Sequence, residues 1–140
     1  MNTSAVTQVR NPITGLSGLS ELAGRILLAT IFLITGLGKI ASYAATAGYM
    51  DATGIPGELL PVVIAFEVLA AIALVAGWKT RLTAFLLAGF TLLSGLVFHS
   101  NFADQMQMIM FLKNVAITGG LLLLVANGAG ALSLDRRARK

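Results

Sequence analysis

Four long apolar stretches constrain what this chain can fold into more than any other feature. They cover about residues 22–40, 59–78, 82–101 and 107–127. A helix needs about 20 predominantly apolar residues to cross the hydrocarbon core of a bilayer. The segments between the stretches contain glycine, proline and charged residues, which end or separate helices. The sequence therefore predicts an all-α integral membrane protein, a bundle of four transmembrane helices.

Composition favours lipid as the solvent of this single domain. Only 11% of the 140 residues are charged, whereas soluble domains carry about 25%. A small soluble protein is mostly surface and needs that charge to stay hydrated. The four helices form the predicted membrane domain, residues 21–132. A flexible polar tail over residues 1–20 is expected before it, and a basic cytoplasmic tail over residues 133–140 after it.

The distribution of lysine and arginine predicts which side of the membrane each terminus occupies. One side collects eight basic residues: Arg10, Arg25, Lys79, Arg81, Arg136, Arg137, Arg139 and Lys140. The other side collects only Lys39 and Lys113, and both lie within helices. Cytoplasmic segments carry the excess of Lys and Arg. Both termini are therefore predicted to be cytoplasmic, in a multi-pass protein of the bacterial cytoplasmic (inner) membrane.

Several of the basic residues are interpreted as membrane-surface anchors. Tryptophan favours the membrane interface, and juxtamembrane Lys and Arg attract anionic headgroups. The predicted anchors are Trp78, Lys79, Arg81, Arg136, Arg137, Arg139 and Lys140. This placement explains the net charge of +4. The usual combination of aromatic and basic residues for nucleic acid is missing, so the expected partner is the lipid bilayer and not DNA or RNA.

Glu67 is the most informative residue, because it lies near the middle of the second apolar stretch. An ionised side chain at that depth costs at least about 2.5 kcal/mol and nearly always faces the bundle interior. On the same side of the membrane, Lys39 ends the first helix and His99 ends the third. Lys113 and Asn114 begin the fourth helix there. The sequence therefore predicts a polar cluster around Glu67 in the outer half of the bundle.

Three interpretations of this cluster remain open. Glu67 pairs with Lys39 or Lys113 and only fixes the packing of the helices. Alternatively, the cluster lines an outward-facing pocket for a polar headgroup, a proton or a small anion. In the third, Glu67 is protonated and unpaired, since low dielectric favours the neutral carboxyl. His99 is interpreted as an interfacial residue or a proton relay. Arg25 is the sixth candidate for the polar site, interpreted as an anchor extending toward the headgroups or, alternatively, as a buried residue with a pairing role.

No intrinsic cofactor or metal site is predicted. The chain has no cysteine and one histidine, which excludes thiolate ligands and disulfides. Met106, Met108 and Met110 are spaced two apart, so on a helix they project from different faces. No Gly-rich nucleotide loop or Ser/His/Asp set occurs, and catalytic residues stay unassigned.

The order of several motifs resembles the DoxX family of small bacterial membrane proteins over about residues 22–135. The similar segments are RILLATIFLITGLGK from Arg25 to Lys39, Gly54-Ile55-Pro56, Glu67 with the run to Gly77-Trp78-Lys79-Thr80-Arg81, and Lys113-Asn114 leading to Gly119-Gly120. The resemblance implies a four-helix inner-membrane protein. The residues of this chain that match polar motif positions of the family are Arg25, Lys39, Glu67, Lys113 and Asn114.

The resemblance also implies association with quinone-linked oxidoreduction. The first hypothesis is an accessory or quinone-interacting subunit of a membrane oxidoreductase system, with Lys39, Lys113 or His99 donating to a quinone carbonyl. Enzymatic activity is then expected only within such a complex. The alternatives are a small proton-coupled carrier with Glu67 as the titrating group, and a structural or assembly factor. A homodimer is compatible with each of them.

Overall fold

The computed structural model describes residues 12–138 and contains four helices long and apolar enough to cross a membrane. Its helices are α1 Pro12–Ala41, α2 Tyr43–Ala52, α3 Leu60–Ala76, α4 Thr80–Phe98, α5 Gln105–Asn127 and α6 Leu134–Arg137, with a short 3₁₀ turn, Gly57–Leu59, before α3. The spans are α1, α3, α4 and α5. The predicted all-α membrane bundle is confirmed.

The first helix is longer than its apolar stretch. It begins at Pro12 and not near residue 22, so residues 12–20, which the sequence assigns to a polar tail, are helical. Proline is compatible with the first turn of a helix, where its missing N–H is not needed. The hydroxyl of Ser20 donates within this helix to the carbonyl of Leu16. Residues 1–11, 139 and 140, including the predicted anchors Arg139 and Lys140, lie outside the described residues.

The bundle consists of two closely packed helix pairs, α1 with α3 and α4 with α5. Glycines permit the close approach in each pair. A Cβ atom at Gly36 of α1 would lie 3.0 Å from Val68 of α3, and one at Gly95 of α4 would lie 3.0 Å from the Asn114 amide of α5. Small residues at helix contacts are typical of membrane bundles, where burial of apolar surface gives little drive for association.

An apolar core joins the two pairs over the middle of the bundle and over one end. It contains Ala29, Phe32, Ala70, Ala71, Leu74, Ala84, Leu87, Ala88 and Leu121. We call this end, where α3 ends and α4 begins at the turn of residues 77–81, the basic end. The opposite end, which carries α2, is called the cavity end.

The connector between the first two spans folds over the cavity end. Its helix α2 is tied to the start of α3, because the Asp51 carboxylate accepts the Gly57 N–H at 2.7 Å. The Tyr49 hydroxyl donates to the Phe98 carbonyl at 3.2 Å, and the two rings are 5.6 Å apart. The connector therefore links the α1–α3 pair to the last turn of α4.

Candidate functional site

An ion pair between Lys39 of α1 and Glu67 of α3 lies inside the cavity end. The Lys39 ammonium is 2.8 Å from Glu67 Oε2 and 3.1 Å from Oε1. The side chain of Glu67 is 4% exposed and that of Lys39 is 25% exposed. The Thr35 hydroxyl lies 3.3 Å from Glu67 Oε1, although its nearest acceptor is the Ile31 carbonyl at 2.8 Å. Between the two predicted partners of Glu67, the structure selects Lys39.

A cavity of about 150 Å³ lies beside this ion pair, between the two helix pairs. Its lining comes from all four spans and from the end of α4: Ile31, Phe32, Thr35, Lys39, Glu67, Phe90, Thr91, Ser94, His99, Lys113, Asn114 and Ile117. Five of the six residues predicted for the polar site therefore meet at one cavity. Arg25 is the exception.

His99 and Lys113 bring polar groups to the cavity from α4 and α5. His99 Nδ1 is 2.9 Å from Gln107 Oε1. With the amide oxygen as acceptor, Nδ1 carries the proton, and Nε2 of the neutral ring is an acceptor. The Lys113 ammonium contacts the Met110 sulfur at 3.3 Å. A thioether is a weak acceptor, so this ammonium keeps donor capacity for another group.

Thr91 is a cavity residue that the sequence does not reveal. It is 4% exposed, and its hydroxyl is buried without a hydrogen-bond partner in the described part of the chain. A threonine within a helix often donates to a carbonyl one turn earlier, as Thr118 donates to Asn114. A buried hydroxyl without a partner is unfavourable. A ligand or a water in the cavity would supply the partner that it lacks.

Arg25 does not belong to this cavity, and its interpretation as an anchor extending toward the headgroups is wrong. It precedes Lys39 by 14 positions, about 21 Å along the helix, and lies fully buried at the basic end. Its guanidinium donates to the carbonyls of Leu74 at 3.2 Å and Val75 at 2.9 Å, and to that of Leu132. The last carbonyls of a helix lack partners within it, and Arg25 donates to two of those of α3, at Leu74 and Val75.

Gly77 makes this arrangement possible, and its replacement tests it. Gly77 has φ +68°, and an added Cβ would collide with the Arg25 guanidinium and with Ser133. We expect Gly77→Ala to lower the free energy of unfolding by at least about 2 kcal/mol, through left-handed strain and overpacking. Reversible unfolding in mixed micelles measures this change in the free energy of unfolding.

Gly89 provides the matched control for that substitution. It lies within α4, and an added Cβ would meet nothing within 4 Å. Gly89→Ala should leave stability unchanged or raise it by up to about 1 kcal/mol. Equal stabilities of the two variants would show that Gly77 is not required for the packing around Arg25.

The predicted surface anchors that the structure describes are exposed at the basic end. They are Trp78, Lys79, Arg81, Arg136 and Arg137. The Lys79 ammonium lies 5.2 Å from the centre of the Trp78 ring. Such a cation–aromatic contact suits the interface, where the ring meets the bilayer and the charge stays hydrated.

Comparison with known proteins identifies the family. Residues 20–100 match the family model described as DoxX. The chain belongs to the DoxX family. It is 47% identical over 125 residues to inner membrane protein YqjF of Escherichia coli K12, covering 89% of this chain and 96% of that protein. It is 41% identical over 123 residues to inner membrane protein YphA of the same organism, covering 83% and 88%.

No solved structure matches this DoxX-family chain significantly. Both curated relatives are named inner membrane proteins, and the structure has four candidate spans. The predicted family and the localisation in the bacterial inner membrane are confirmed.

Proposed function

We propose that this DoxX-family protein binds the ring of a quinone in the cavity beside Lys39 and Glu67, as an accessory subunit of a membrane oxidoreductase system. The observation that carries the proposal is the cavity itself. It lies between two helix pairs, has polar groups on both walls, and contains the unpartnered Thr91 hydroxyl. In this proposal, an enzymatic role belongs to the complex with the oxidoreductase partner, and the cavity supplies the groups that bind the ring.

The size and lining of the cavity suit one six-membered ring. Its volume is about 150 Å³, and an engineered cavity of that size in another protein binds benzene. Phe90 and Ile117 supply apolar surface. Lys39 brings a donor from α1, and Lys113 brings one from α5. A quinone has two carbonyl acceptors on opposite edges of its ring, and in this proposal each would accept from a donor on a different helix.

The same cavity also offers acceptors. Glu67 presents a carboxylate, and the ring of His99 presents Nε2 when Gln107 accepts from Nδ1. A reduced quinone carries two hydroxyl donors in place of the carbonyls. Donors and acceptors on the same walls would therefore hold both the oxidised and the reduced ring. The quinone would reach the cavity from the bilayer, in which it dissolves.

The two alternative functions receive different support. A carrier needs a path between the two membrane surfaces, but Leu74, Leu87 and Leu121 fill the core beyond the cavity. A structural or assembly factor is supported by the closeness of the Lys39–Glu67 pair, since such a pair specifies packing without chemistry. Ligand binding separates the quinone proposal from a purely structural role.

Thr91→Val is expected to change stability and quinone binding in opposite directions. Without ligand, it removes a buried unsatisfied hydroxyl and should raise the free energy of unfolding by about 1 kcal/mol. It also removes a hydrogen bond to the ligand, which should weaken binding about fivefold. Protein in nanodiscs is titrated with ubiquinone-2, bound quinone is quantified by chromatography, and thermal unfolding is recorded on the same samples.

Thr80→Val is the matched control, because Thr80 is another buried threonine whose hydroxyl has no partner among residues 12–138. It lies at the start of α4, at the basic end, and outside the cavity. It should leave quinone affinity unchanged. Failure of the wild-type protein to bind ubiquinone-2 saturably would refute the proposed function.

A further inference from the structure

A second and larger concavity lies at the basic end, between the start of α4 and the segment that follows α5. Its volume is about 900 Å³. Lys79 reaches it from the turn before α4, Arg81 from the first turn of α4, and Arg136 from α6. Leu82 and Ala129 add apolar surface. We call it the basic groove, and it shares no residue with the cavity beside Glu67.

The one carboxylate of the groove is already engaged by the backbone. Asp135 accepts the N–H groups of Lys79 at 2.7 Å and Thr80 at 2.8 Å, which caps the start of α4. Its own N–H donates to the Gly77 carbonyl at 2.9 Å. These bonds fix α6 against the bundle. The three basic side chains of the groove therefore exceed its acidic charge, and the excess favours an anion.

A separate observation, the buried hydroxyl of Thr80, favours a polar ligand for the groove. Thr80 lines it and is 0% exposed, and its hydroxyl has no partner in the described segment. Thr80 is the first residue of α4, so no preceding turn of that helix offers a carbonyl. Burying such a hydroxyl without a hydrogen bond is unfavourable, and a ligand oxygen in the groove would satisfy it.

We propose that the basic groove binds the phosphate headgroup of one anionic phospholipid. The neighbouring Trp78 marks the headgroup level of the bilayer, and basic pockets at this level attract anionic headgroups. Lys79, Arg81 and Arg136 would contact the phosphate, and Leu82 would contact the glycerol and the first methylenes. Free phosphate would use only the basic side chains, whereas a phospholipid complements the apolar wall as well. The bound lipid would also link α6 to the turn before α4.

The only tryptophan of the chain provides the measurement. Trp78 precedes Lys79, so a lipid in the groove lies close enough to quench its fluorescence when the acyl chains are brominated. The protein is reconstituted in phosphatidylcholine vesicles with brominated phosphatidylglycerol or brominated phosphatidylcholine. We expect the anionic lipid to bind about fivefold more tightly than the zwitterionic one.

Two neighbouring arginines distinguish a defined site from general surface charge. Arg136 lines the groove, whereas Arg137 is exposed outside it. Arg136→Gln should remove most of the preference for phosphatidylglycerol, and Arg137→Gln should preserve it. Equal losses in the two variants, or equal quenching by both lipids in the wild-type protein, would overturn the proposal. So would loss of the preference on adding millimolar inorganic phosphate, since the site would then take a soluble anion.

Discussion

We expect Glu67→Gln to lower the free energy of unfolding by about 3 kcal/mol. Removing one partner of a buried ion pair leaves the other charge without compensation, and the measured cost is about 3–5 kcal/mol. The lower figure applies because Lys39 is 25% exposed and its ammonium keeps some access to polar surroundings. Reversible unfolding in mixed micelles measures the change.

Two further variants test whether the stability lost in Glu67→Gln comes from the ion pair with Lys39. Lys113 is exposed and contacts only the Met110 sulfur among the described side chains, so Lys113→Gln should change stability by less than about 0.5 kcal/mol. Exchange of the partners, Lys39→Glu with Glu67→Lys, should recover at least half of the stability lost in Glu67→Gln. If Glu67→Gln is no more destabilising than Lys113→Gln, the pair does not hold α1 against α3.

Arg25→Met should lower the free energy of unfolding by about 4 kcal/mol, at least as much as Glu67→Gln. Methionine retains much of the length but donates to none of the carbonyls that Arg25 bonds in Leu74, Val75 and Leu132. Each buried carbonyl left without a donor costs about 1–3 kcal/mol, and of the three only that of Leu74 keeps a donor among the described residues, the Gly77 N–H. Arg25→Lys should lose about half as much, because a single ammonium cannot reproduce the planar fork of a guanidinium.

The position of the C-terminal segment provides a second readout for Arg25. Its bond to Leu132 holds the chain just before α6, so Arg25→Met should loosen this segment and let trypsin cleave it after Arg136 and Arg137, whose side chains are already exposed. Limited proteolysis in micelles should then cut this variant faster than the wild type, and Lys113→Gln should be cut at the wild-type rate. Wild-type stability together with wild-type protection would contradict the role assigned to Arg25.

Hydropathy predicts the spans because each depends mainly on its own composition and length. The cluster around Glu67 is predictable for a related reason, since a carboxylate at that depth has to face the interior. Its partner is not predictable, because Lys39 and Lys113 both lie at the same end of the bundle. The choice of Lys39 depends on the close contact of α1 with α3 at Gly36, which is a tertiary feature.

Arg25 and Thr91 escape sequence-based prediction because their environments are formed by distant parts of the chain. Leu132 lies 107 positions after Arg25 and reaches it only because the chain turns back at Gly128 and Gly130, both with positive φ. Thr91 looks like an ordinary small residue of an apolar helix. It becomes informative only when the space between the two helix pairs leaves its hydroxyl without a partner.

Photoaffinity labelling with an azido-substituted quinone tests most directly whether the cavity beside Glu67 binds a quinone ring. The protein is labelled in nanodiscs, digested, and mapped by mass spectrometry, with and without excess ubiquinone-2. We predict label on residues 90–99 and 111–117, which contain the α4 and α5 walls of the cavity, and its loss when the competitor is added. Label spread over lipid-facing residues and unaffected by the competitor would contradict the proposed quinone site.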